Sequence, residues 1–315
     1  MSVSLSARKP VASSPVTPEA PSWRTIAAAY YSLTKPHIMV LLLITTLAAI
    51  LIAAREHPLP AFDFVKVLVV TMIGGALSSG GAAALNCYID RDIDAVMKRT
   101  RGRAIPSGVL TPRQVLYFGL TLTVVATLLL LLFVNVAAAA LALFGSFYYV
   151  VIYTMLLKRS TAQNIVIGGG AGAVPPLVGW AAVTGGVALP PLVLFAIVVL
   201  WTPAHFWSLA LMTRTDYAAV GVPMMPVVVG EKGTKQRIVL YTLLVIACSV
   251  VLYILGAMGQ IYLGAALALG AGFLFMSLRL LREEGHTHAR ATFMYSNIYL
   301  AFLFAAMVVD RVVGL

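Results

Sequence analysis

The sequence predicts an all-α polytopic membrane protein with nine transmembrane helices. Of its 315 residues, 61% are hydrophobic and only 10% are charged, which is far too apolar for a soluble domain. The hydrophobic residues gather in nine stretches of roughly 20 residues, the length that a helix needs to cross the hydrocarbon core of a bilayer. The charged residues gather in the loops between these stretches. A polytopic helical bundle satisfies all of these observations.

The nine apolar stretches are evenly spread along the chain, and each is followed by a polar or glycine-containing connection. Short connections leave no room for a separate soluble domain, so we expect one membrane domain over residues 23–315. The predicted spans are residues 37–54, 65–87, 114–134, 137–157, 164–183, 190–212, 238–255, 260–280 and 293–313.

The basic residues predict the orientation of the spans. With nine helices, 19 of the 22 Lys and Arg residues fall on one side of the membrane, leaving only Arg55, Lys66 and Arg311 on the other. Loops rich in Lys and Arg stay on the cytoplasmic side. The N-terminus is therefore predicted to be cytoplasmic, and an even number of spans would break the alternation.

Residues 1–22 are predicted to be a disordered cytoplasmic tail, because they are rich in Ser, Pro, Ala and Val and contain no apolar signal-peptide core. They also lack the Arg-rich amphipathic character of a transit peptide, which favours the inner (plasma) membrane of a bacterium. Cys87 and Cys248 both fall in apolar spans without a CxxC motif, so no disulfide is expected.

The net charge of +11 is spread over membrane loops. No soluble basic domain is present, and we therefore expect no nucleic-acid partner. Anionic lipid headgroups of the bilayer and a phosphorylated substrate explain the positive charge better.

The end of the second span carries the clearest functional pattern. Asn86, Asp90 and Asp94 recur every four residues, which places them on one stripe of a helix while Asp92 is turned away. Mg²⁺ typically binds one or two carboxylates together with phosphate oxygens of a substrate. The stripe therefore predicts a site for Mg²⁺ and a diphosphate. The alternative is a solvated helix end in which Asp94 pairs with Lys98, but it does not explain the deeper Asn86.

Two basic loops supply candidate partners for the diphosphate oxygens. Lys98, Arg101 and Arg103 follow the aspartates directly, and Lys158 and Arg159 follow the fourth span with Asn164 nearby. Lys158 and Arg159 are equally explained as topological anchors at a cytoplasmic helix end, and both roles are compatible.

The sixth span adds a histidine and a further carboxylate. His205 lies inside an apolar stretch, where an ionisable side chain costs free energy unless it is paired or used. A hydrogen bond to a neighbouring helix is its structural alternative. Asp216, near the cytoplasmic end, is predicted to add a metal contact, with a simple pair to Arg214 as the alternative.

Three sequence blocks resemble one known family. They are LNCYIDRDIDAVMKRTRGRAIPSG around Asp90, LLKRSTAQNIVIGGGAGAVPPLVGWAAVTG after the fourth span, and DYAAVGVPMMPVV from Asp216. The first is similar to the Asn-x-x-x-Asp-x-x-x-Asp signature of the UbiA superfamily of intramembrane prenyltransferases. The three blocks in this order resemble the haem branch of that superfamily, over about residue 30 to the C-terminus.

The resemblance implies a nine-helix fold whose central cavity opens to the cytoplasmic side. It implies transfer of a farnesyl group from farnesyl diphosphate to a vinyl group of haem B, with addition of water and release of diphosphate. Asn86, Asp90 and Asp94 would then hold Mg-diphosphate, and the cations would neutralise the leaving group. His205 and His37 become candidates for contacting haem.

One feature departs from the superfamily pattern. Many members carry a second Asp-x-x-x-Asp signature, but Val220 stands four positions after Asp216, which puts a second carboxylate-held Mg²⁺ in doubt.

Two other functions compete with farnesyl transfer to haem B. They are prenyl transfer to another aromatic or quinone-precursor acceptor, and secondary transport of an anionic solute. A haem A synthase or an oxidase assembly factor is a further expected partner.

Overall fold

The computed structural model describes residues 21–313, and within that range every regular element is helical. Nine of the helical segments in the described range are long and apolar enough to cross a membrane, as the sequence predicts. They are α2 (Pro36–Glu56), α3 (Ala61–Ile89), α5 (Pro112–Phe133), α6 (Val136–Phe147) with its π-helical continuation Tyr148–Leu157, α7 and α8 (Asn164–Gly168 and Gly170–Thr184), α9 (Leu189–Met212), α12 (Gly230–Ile254), α13 (Gln260–Arg282) and α14 (Ala289–Val313). The protein is therefore a multi-pass membrane protein.

Short helices fill three of the connections that the charge pattern predicts to be cytoplasmic. They are α4 (Arg91–Val96), α10 (Arg214–Ala219) and α11 (Met225–Val228). The seventh span begins eight residues earlier than predicted, because the polar segment from Gly230 continues the helix into the connection. The predicted tail lies outside the described residues except for Pro21 and Ser22, and the opening of a central cavity to the cytoplasm stays a prediction.

An additional helix precedes the first span. α1 (Trp23–Leu33) begins at Ser22, whose hydroxyl accepts a hydrogen bond from the backbone N–H of Thr25. Trp23 and Tyr31 are exposed, but Leu33 is buried in a small apolar cluster. That cluster joins α1 to the end of α3, to the loop after α4 and to the start of α5 through Ala84, Cys87, Ala104, Leu110 and Val115. α1 therefore fixes the loop that follows the aspartate stripe.

The spans pack as two groups joined by the fifth. α2, α3, α5 and α6 contact one another in the first group, and α9, α12, α13 and α14 form the second. α8 lies between them and packs against α2, α6 and α9. α14 packs against α2 as well as α9, which closes the ring of helices. α3 also contacts the π-helical end of the fourth span.

Close approach of α2 and α8 depends on one glycine. A Cβ atom added at Gly179 would lie only 2.4 Å from the backbone oxygen of Thr46. Pro175, one turn earlier, leaves its carbonyl within 3.4 Å of the Thr46 hydroxyl. Small residues of this kind let membrane helices bring their backbones together, where packing replaces the hydrophobic effect as the driving force.

We expect Gly179→Ala to lower the midpoint of thermal unfolding of the detergent-solubilised protein by several degrees, because an extra methyl group in a well-packed interface costs about 1–3 kcal/mol. Gly172→Ala, in the same helix, is the matched control, because a Cβ atom there meets no atom within 4 Å. Equal midpoints for the two variants would show that the α2–α8 contact tolerates expansion.

Candidate active site

The aspartate stripe lies on a continuous helical path. The backbone N–H of Asp90 donates to the carbonyl of Asn86 at 2.9 Å, and that of Asp94 donates to the carbonyl of Asp90 at 2.8 Å. α4 therefore continues the course of α3 with only a local break. All three side chains are buried, although they carry two carboxylates beside a membrane. Such burial requires partners of opposite charge or strong hydrogen-bond donors.

The partners come from a π-helical segment at the end of the fourth span. Residues Tyr148–Leu157 form it, and the backbone N–H of Lys158 bonds to the carbonyl of Tyr153, five residues earlier, at 2.8 Å. Because π-helical turns are wider than α-helical turns, side chains four and five residues apart lie above one another. Thr154 and Lys158 are brought to the same face in this way.

Asp90 is the centre of the resulting contacts. Its Oδ2 atom accepts hydrogen bonds from the Lys158 ammonium at 2.5 Å and from the Asn86 amide at 2.7 Å. The same amide nitrogen of Asn86 also donates to the Thr154 hydroxyl at 3.1 Å. Asn86, Asp90, Thr154 and Lys158 therefore form one buried network between the second and fourth spans.

Lys35 is a site residue that the sequence analysis missed. Its ammonium donates to the Asn86 side-chain oxygen at 2.7 Å. Its backbone adopts a left-handed conformation with φ of 50°, the only positive φ among the non-glycine residues described. Burial opposes the positive charge, but Tyr149, Cys87 and, to a smaller extent, Asp90 raise the pKa of Lys35 above its usual value. The signal in the sequence was a Lys-Pro pair at the start of a span.

Asp94 has its own cationic partner. Arg103 approaches its carboxylate with an N–O distance of 2.6 Å, and the hydroxyl of Thr100 bonds to the Asp94 backbone oxygen at 3.1 Å. Burial opposes the charge of Arg103, but the neighbouring Cys87 and Asp94 raise the pKa of its guanidinium. The loop after α4 thus folds back over the aspartate stripe.

Arg159 is directed mainly to Asp92. Two guanidinium nitrogens bond to the Asp92 carboxylate at 2.6 and 2.7 Å, and one lies 3.6 Å from Oδ1 of Asp90. The hydrogen bond from Arg159 lowers the pKa of Asp92 to about 2. Asp92 is exposed and turned away from the stripe. Lys98 and Arg101 are also exposed, and they bond to none of the side chains in the buried network.

The remaining candidates lie around this network. Asn164 is fully buried and donates to the backbone oxygen of Lys158 at 3.3 Å, and its side-chain oxygen has no hydrogen-bond partner within residues 21–313. Asp216 accepts a long hydrogen bond, 3.4 Å, from the backbone N–H of Arg99. It therefore connects the loops after the second and sixth spans.

The two histidines lie in different surroundings. His205 is buried, with its ring between Trp201 and Phe293 at centroid distances of 4.2 and 4.6 Å. Its Nδ1 atom lies 2.7 Å from the hydroxyl of Ser296 on α14. His37 is exposed in the first turn of α2.

The donor set fits a magnesium ion. Oδ1 of Asp90 is buried and has no hydrogen-bond partner in the described part of the chain. Two carboxylates and an amide oxygen on one stripe match the hard oxygen ligands of Mg²⁺, which takes its remaining ligands from water and phosphate. No group of three His, Cys, Asp or Glu side chains converges within residues 21–313, so the described residues alone do not complete a coordination sphere.

Solved structures share the fold of this chain. A digeranylgeranylglyceryl phosphate synthase superimposes with a TM-score of 0.72 at 19% identity, covering 91% of this chain and 99% of that one. A UbiA homolog from Archaeoglobus fulgidus bound to GPP and Mg²⁺ superimposes with a TM-score of 0.65 at 12% identity, covering 89% of this chain and 99% of that one. The chain therefore has the same helical fold as these two proteins.

Sequence similarity then gives the family. The model of the UbiA prenyltransferase family matches residues 42–303, and the chain belongs to this family. A protoheme IX farnesyltransferase from Gloeobacter violaceus is 51% identical over 90% of this chain and 92% of its own length. One from Chloroflexus aurantiacus is 49% identical over 93% of this chain, which spans about half, 49%, of that longer protein.

Asp90→Asn and Asp92→Asn make the same chemical change two residues apart. We expect Asp90→Asn to lower prenyl-transfer turnover at least about 100-fold, which corresponds to about 2.7 kcal/mol of transition-state stabilisation. Asp92→Asn leaves turnover within a few-fold, because its carboxylate is exposed and outside the stripe. Steady-state rates and Mn²⁺ binding followed by electron paramagnetic resonance measure both effects. Equal losses in the two variants would remove the stripe from the mechanism.

Proposed function

We propose that the protein transfers the farnesyl group of farnesyl diphosphate to a vinyl group of haem B, with addition of water, giving haem O and diphosphate. The observation that carries this proposal is the buried Asn86–Asp90–Asp94 stripe facing a set of cations in a UbiA family member. The farnesyltransferase names of relatives at about 50% identity support the choice of both substrates.

The cations recognise the diphosphate in this proposal. Lys35, Arg103 and Lys158 come from three different segments and point to one space through their contacts with the stripe. Each makes charge-assisted bonds that phosphate oxygens accept equally well. Arg159 and Asn164 lie at the edge of this set. Lys98 and Arg101 follow Asp94 closely in the sequence and are proposed to supply further positive charge. Mg²⁺, when bound by Asp90, Asp94 and Asn86, supplies Lewis-acid stabilisation of the leaving diphosphate.

Substrate binding requires the carboxylates and cations to exchange partners. Lys158 is bonded to Asp90 and Arg103 to Asp94, so the oxygens that suit a metal are occupied by the cations that suit a diphosphate. An incoming diphosphate draws these cations away and frees carboxylate oxygens. Burial lowers the pKa of Lys158 while Asp90 raises it, with a net lowering, so its charge is held by this negative partner.

The acceptor side of the proposal rests on His205, with His37 as the second candidate. Ser296 already donates its hydroxyl hydrogen to the backbone oxygen of Phe293, 2.6 Å away, so the His205 ring donates its Nδ1–H to that hydroxyl. This leaves Nε2 as the unprotonated nitrogen. A histidine that binds a metal through one ring nitrogen usually donates a hydrogen bond from the other, which fixes the orientation of the ring.

Two alternatives differ in their readouts. Another aromatic or quinone-precursor acceptor keeps the diphosphate chemistry and changes the product. A transporter of an anionic solute moves its solute without a chemical product, and membership of a prenyltransferase family favours the enzyme.

We further propose a bacterial inner-membrane location with the N-terminus cytoplasmic, and a haem A synthase or oxidase assembly factor as a protein partner. Asp216 is proposed to add a metal contact near the predicted cytoplasmic end of the sixth span.

The direct test is product formation by purified protein given farnesyl diphosphate, haem B and Mg²⁺, with mass spectrometry of the porphyrin. A farnesylated and hydrated haem that disappears with a chelator is the expected result. Diphosphate release without a modified haem would overturn the acceptor, and no diphosphate release with any acceptor would overturn the enzymatic proposal.

Lys158→Met is expected to weaken binding of a non-reactive thio analogue of farnesyl diphosphate at least tenfold, because a partly buried cation is lost from the diphosphate site. The same change is expected to strengthen binding of Mn²⁺ measured without diphosphate, because Asp90 loses its competing cation. Lys66→Met, which removes an exposed ion pair with Asp63, is the matched control. Weaker binding of both ligands would contradict the exchange of partners.

His205→Ala is expected to reduce the affinity for haem B at least tenfold and to remove the absorption band of an imidazole-bound iron. Ser296→Ala tests the orientation of the ring without deleting it, and it should shift the same spectrum. His37→Ala separates the two candidate histidines. Unchanged haem affinity and spectrum in His205→Ala would assign this residue to helix packing alone.

A further inference from the structure

α1 has an inner face that packs against the protein and an outer face that is exposed. The residues of the inner face recur at helical spacing and belong to one apolar cluster; they are Ile26, Ala29, Tyr30 and Leu33. On the outer face, Trp23 is 74% exposed and Tyr31 is 67% exposed. Tryptophan and tyrosine side chains are typical of the boundary between lipid headgroups and hydrocarbon. α1 therefore has the character of a helix that lies along the membrane surface.

A groove of about 470 Å³ runs between α1 and α5. It is lined by Tyr30 of α1 and by Gln114, Tyr117, Phe118 and Thr121 of α5. The rings of Tyr30 and Phe118, whose centroids are 4.8 Å apart, form its half-buried inner side. Because the lining residues of α5 span seven positions, the groove extends about 10 Å along the axis of a membrane span. It therefore has the direction of a lipid acyl chain.

Three exposed arginines lie on the elements that border this groove and its cluster. Arg24 is in the first turn of α1, Arg91 begins α4, and Arg113 is in the first turn of α5. Within residues 21–313, none of the three pairs with a carboxylate. The guanidinium groups of Arg24 and Arg91 lie over the rings of Trp23 and Tyr88 instead. This positive charge complements an anionic headgroup.

We propose that the groove binds an anionic phospholipid of the surrounding bilayer, with one acyl chain between α1 and α5 and the phosphate beside Arg24 and Arg113. A phospholipid matches both parts of the surface, because its chain fills the apolar groove while its headgroup meets the cations. Tyr117 is 66% exposed, so the groove opens outward, where the bilayer supplies this ligand. The headgroup is anionic because a zwitterionic one brings its own positive charge to the arginines.

The groove is connected to the candidate active site through the apolar cluster. Tyr30 and Phe118 belong to the same cluster as Ala104 in the loop after α4. Ala104 directly follows Arg103, whose guanidinium bonds to the carboxylate of Asp94 at 2.6 Å. A lipid that holds α1 against α5 therefore also holds the loop that carries Arg103.

A second connection runs through the end of α1. Leu33 is the last residue of the helix and is buried in the cluster. Two positions later, the ammonium of Lys35 bonds to the Asn86 side chain at 2.7 Å. The direction of Lys35 consequently depends on where α1 lies. The bound phospholipid acts on both cations from outside the site, as a positioning ligand.

Native mass spectrometry of the detergent-solubilised protein tests the headgroup. We expect one dioleoyl phosphatidylglycerol to bind at least about tenfold more tightly than dioleoyl phosphatidylcholine, because each cation near an anionic headgroup contributes roughly fivefold. The double variant Arg24→Gln/Arg113→Gln is expected to lose this preference. Arg55→Gln/Lys66→Gln, which removes two exposed cations from the opposite ends of the spans, is the matched control. An unchanged preference in the first variant, or an equal loss in both, would overturn the site.

Thr121→Trp tests the acyl chain, because a large side chain at this exposed position fills the groove. It is expected to weaken binding of phosphatidylglycerol at least about tenfold, since each methylene group displaced from an apolar surface costs roughly fourfold. Leu120→Trp places the same side chain at the next exposed position of α5, outside the groove lining, and keeps the affinity. Unweakened binding in Thr121→Trp would mean that the headgroup alone is recognised and would overturn the groove.

Hydrogen–deuterium exchange tests the connection to the active site. In nanodiscs that contain phosphatidylglycerol, the amides of residues 97–111 are expected to exchange several-fold more slowly than in pure phosphatidylcholine. The difference should disappear in Arg24→Gln/Arg113→Gln and persist in Arg55→Gln/Lys66→Gln. Tight phosphatidylglycerol binding with unchanged exchange at residues 97–111 would overturn the positioning role. Neither experiment uses a substrate, so their outcomes are separate from that of the proposed function.

Discussion

The structure of the site depends on the buried carboxylate of Asp90. It lies at the end of a membrane span with no exposure to solvent, where an unpaired charge costs several kcal/mol. The Lys158 ammonium and the Asn86 amide satisfy one of its oxygens, and the other oxygen has no hydrogen-bond partner among the described residues. Removing one member of such a buried pair typically costs about 3–5 kcal/mol. The second and fourth spans are therefore held in register by the same contacts that prepare the site.

Two unusual backbone conformations supply the partners. The π-helical end of the fourth span brings Thr154 and Lys158 to one face, and the left-handed conformation of Lys35 directs its ammonium to Asn86. Both conformations are uncommon and persist only where tertiary contacts favour them. Both conformations occur beside the same polar network, which indicates that the fold is arranged around this network. We propose that this arrangement serves the exchange of the cations from the carboxylates to the diphosphate.

Much of the fold could be predicted from the sequence, because the thickness of the bilayer sets the length of each span and the Lys and Arg residues mark one side. The stripe of Asn86, Asp90 and Asp94 could be predicted from helical periodicity alone. α1 was missed because it is too short and too polar to resemble a span. The role of Lys35 was missed because its contact with Asn86 joins residues 51 positions apart. The pairing of Arg159 with Asp92 was missed for the same reason, since a local pattern does not show which distant carboxylate a cation reaches.

The most direct test of this account is an experimental structure of the protein with Mg²⁺ and the thio analogue of farnesyl diphosphate in lipid nanodiscs. The informative quantity is the distance between Lys158 Nζ and Asp90 Oδ2, which is 2.5 Å here. The account predicts that this contact opens, with Lys158 bonded to a diphosphate oxygen and Asp90 facing the metal. A structure in which both ligands are bound and the Lys158–Asp90 contact is unchanged would contradict it.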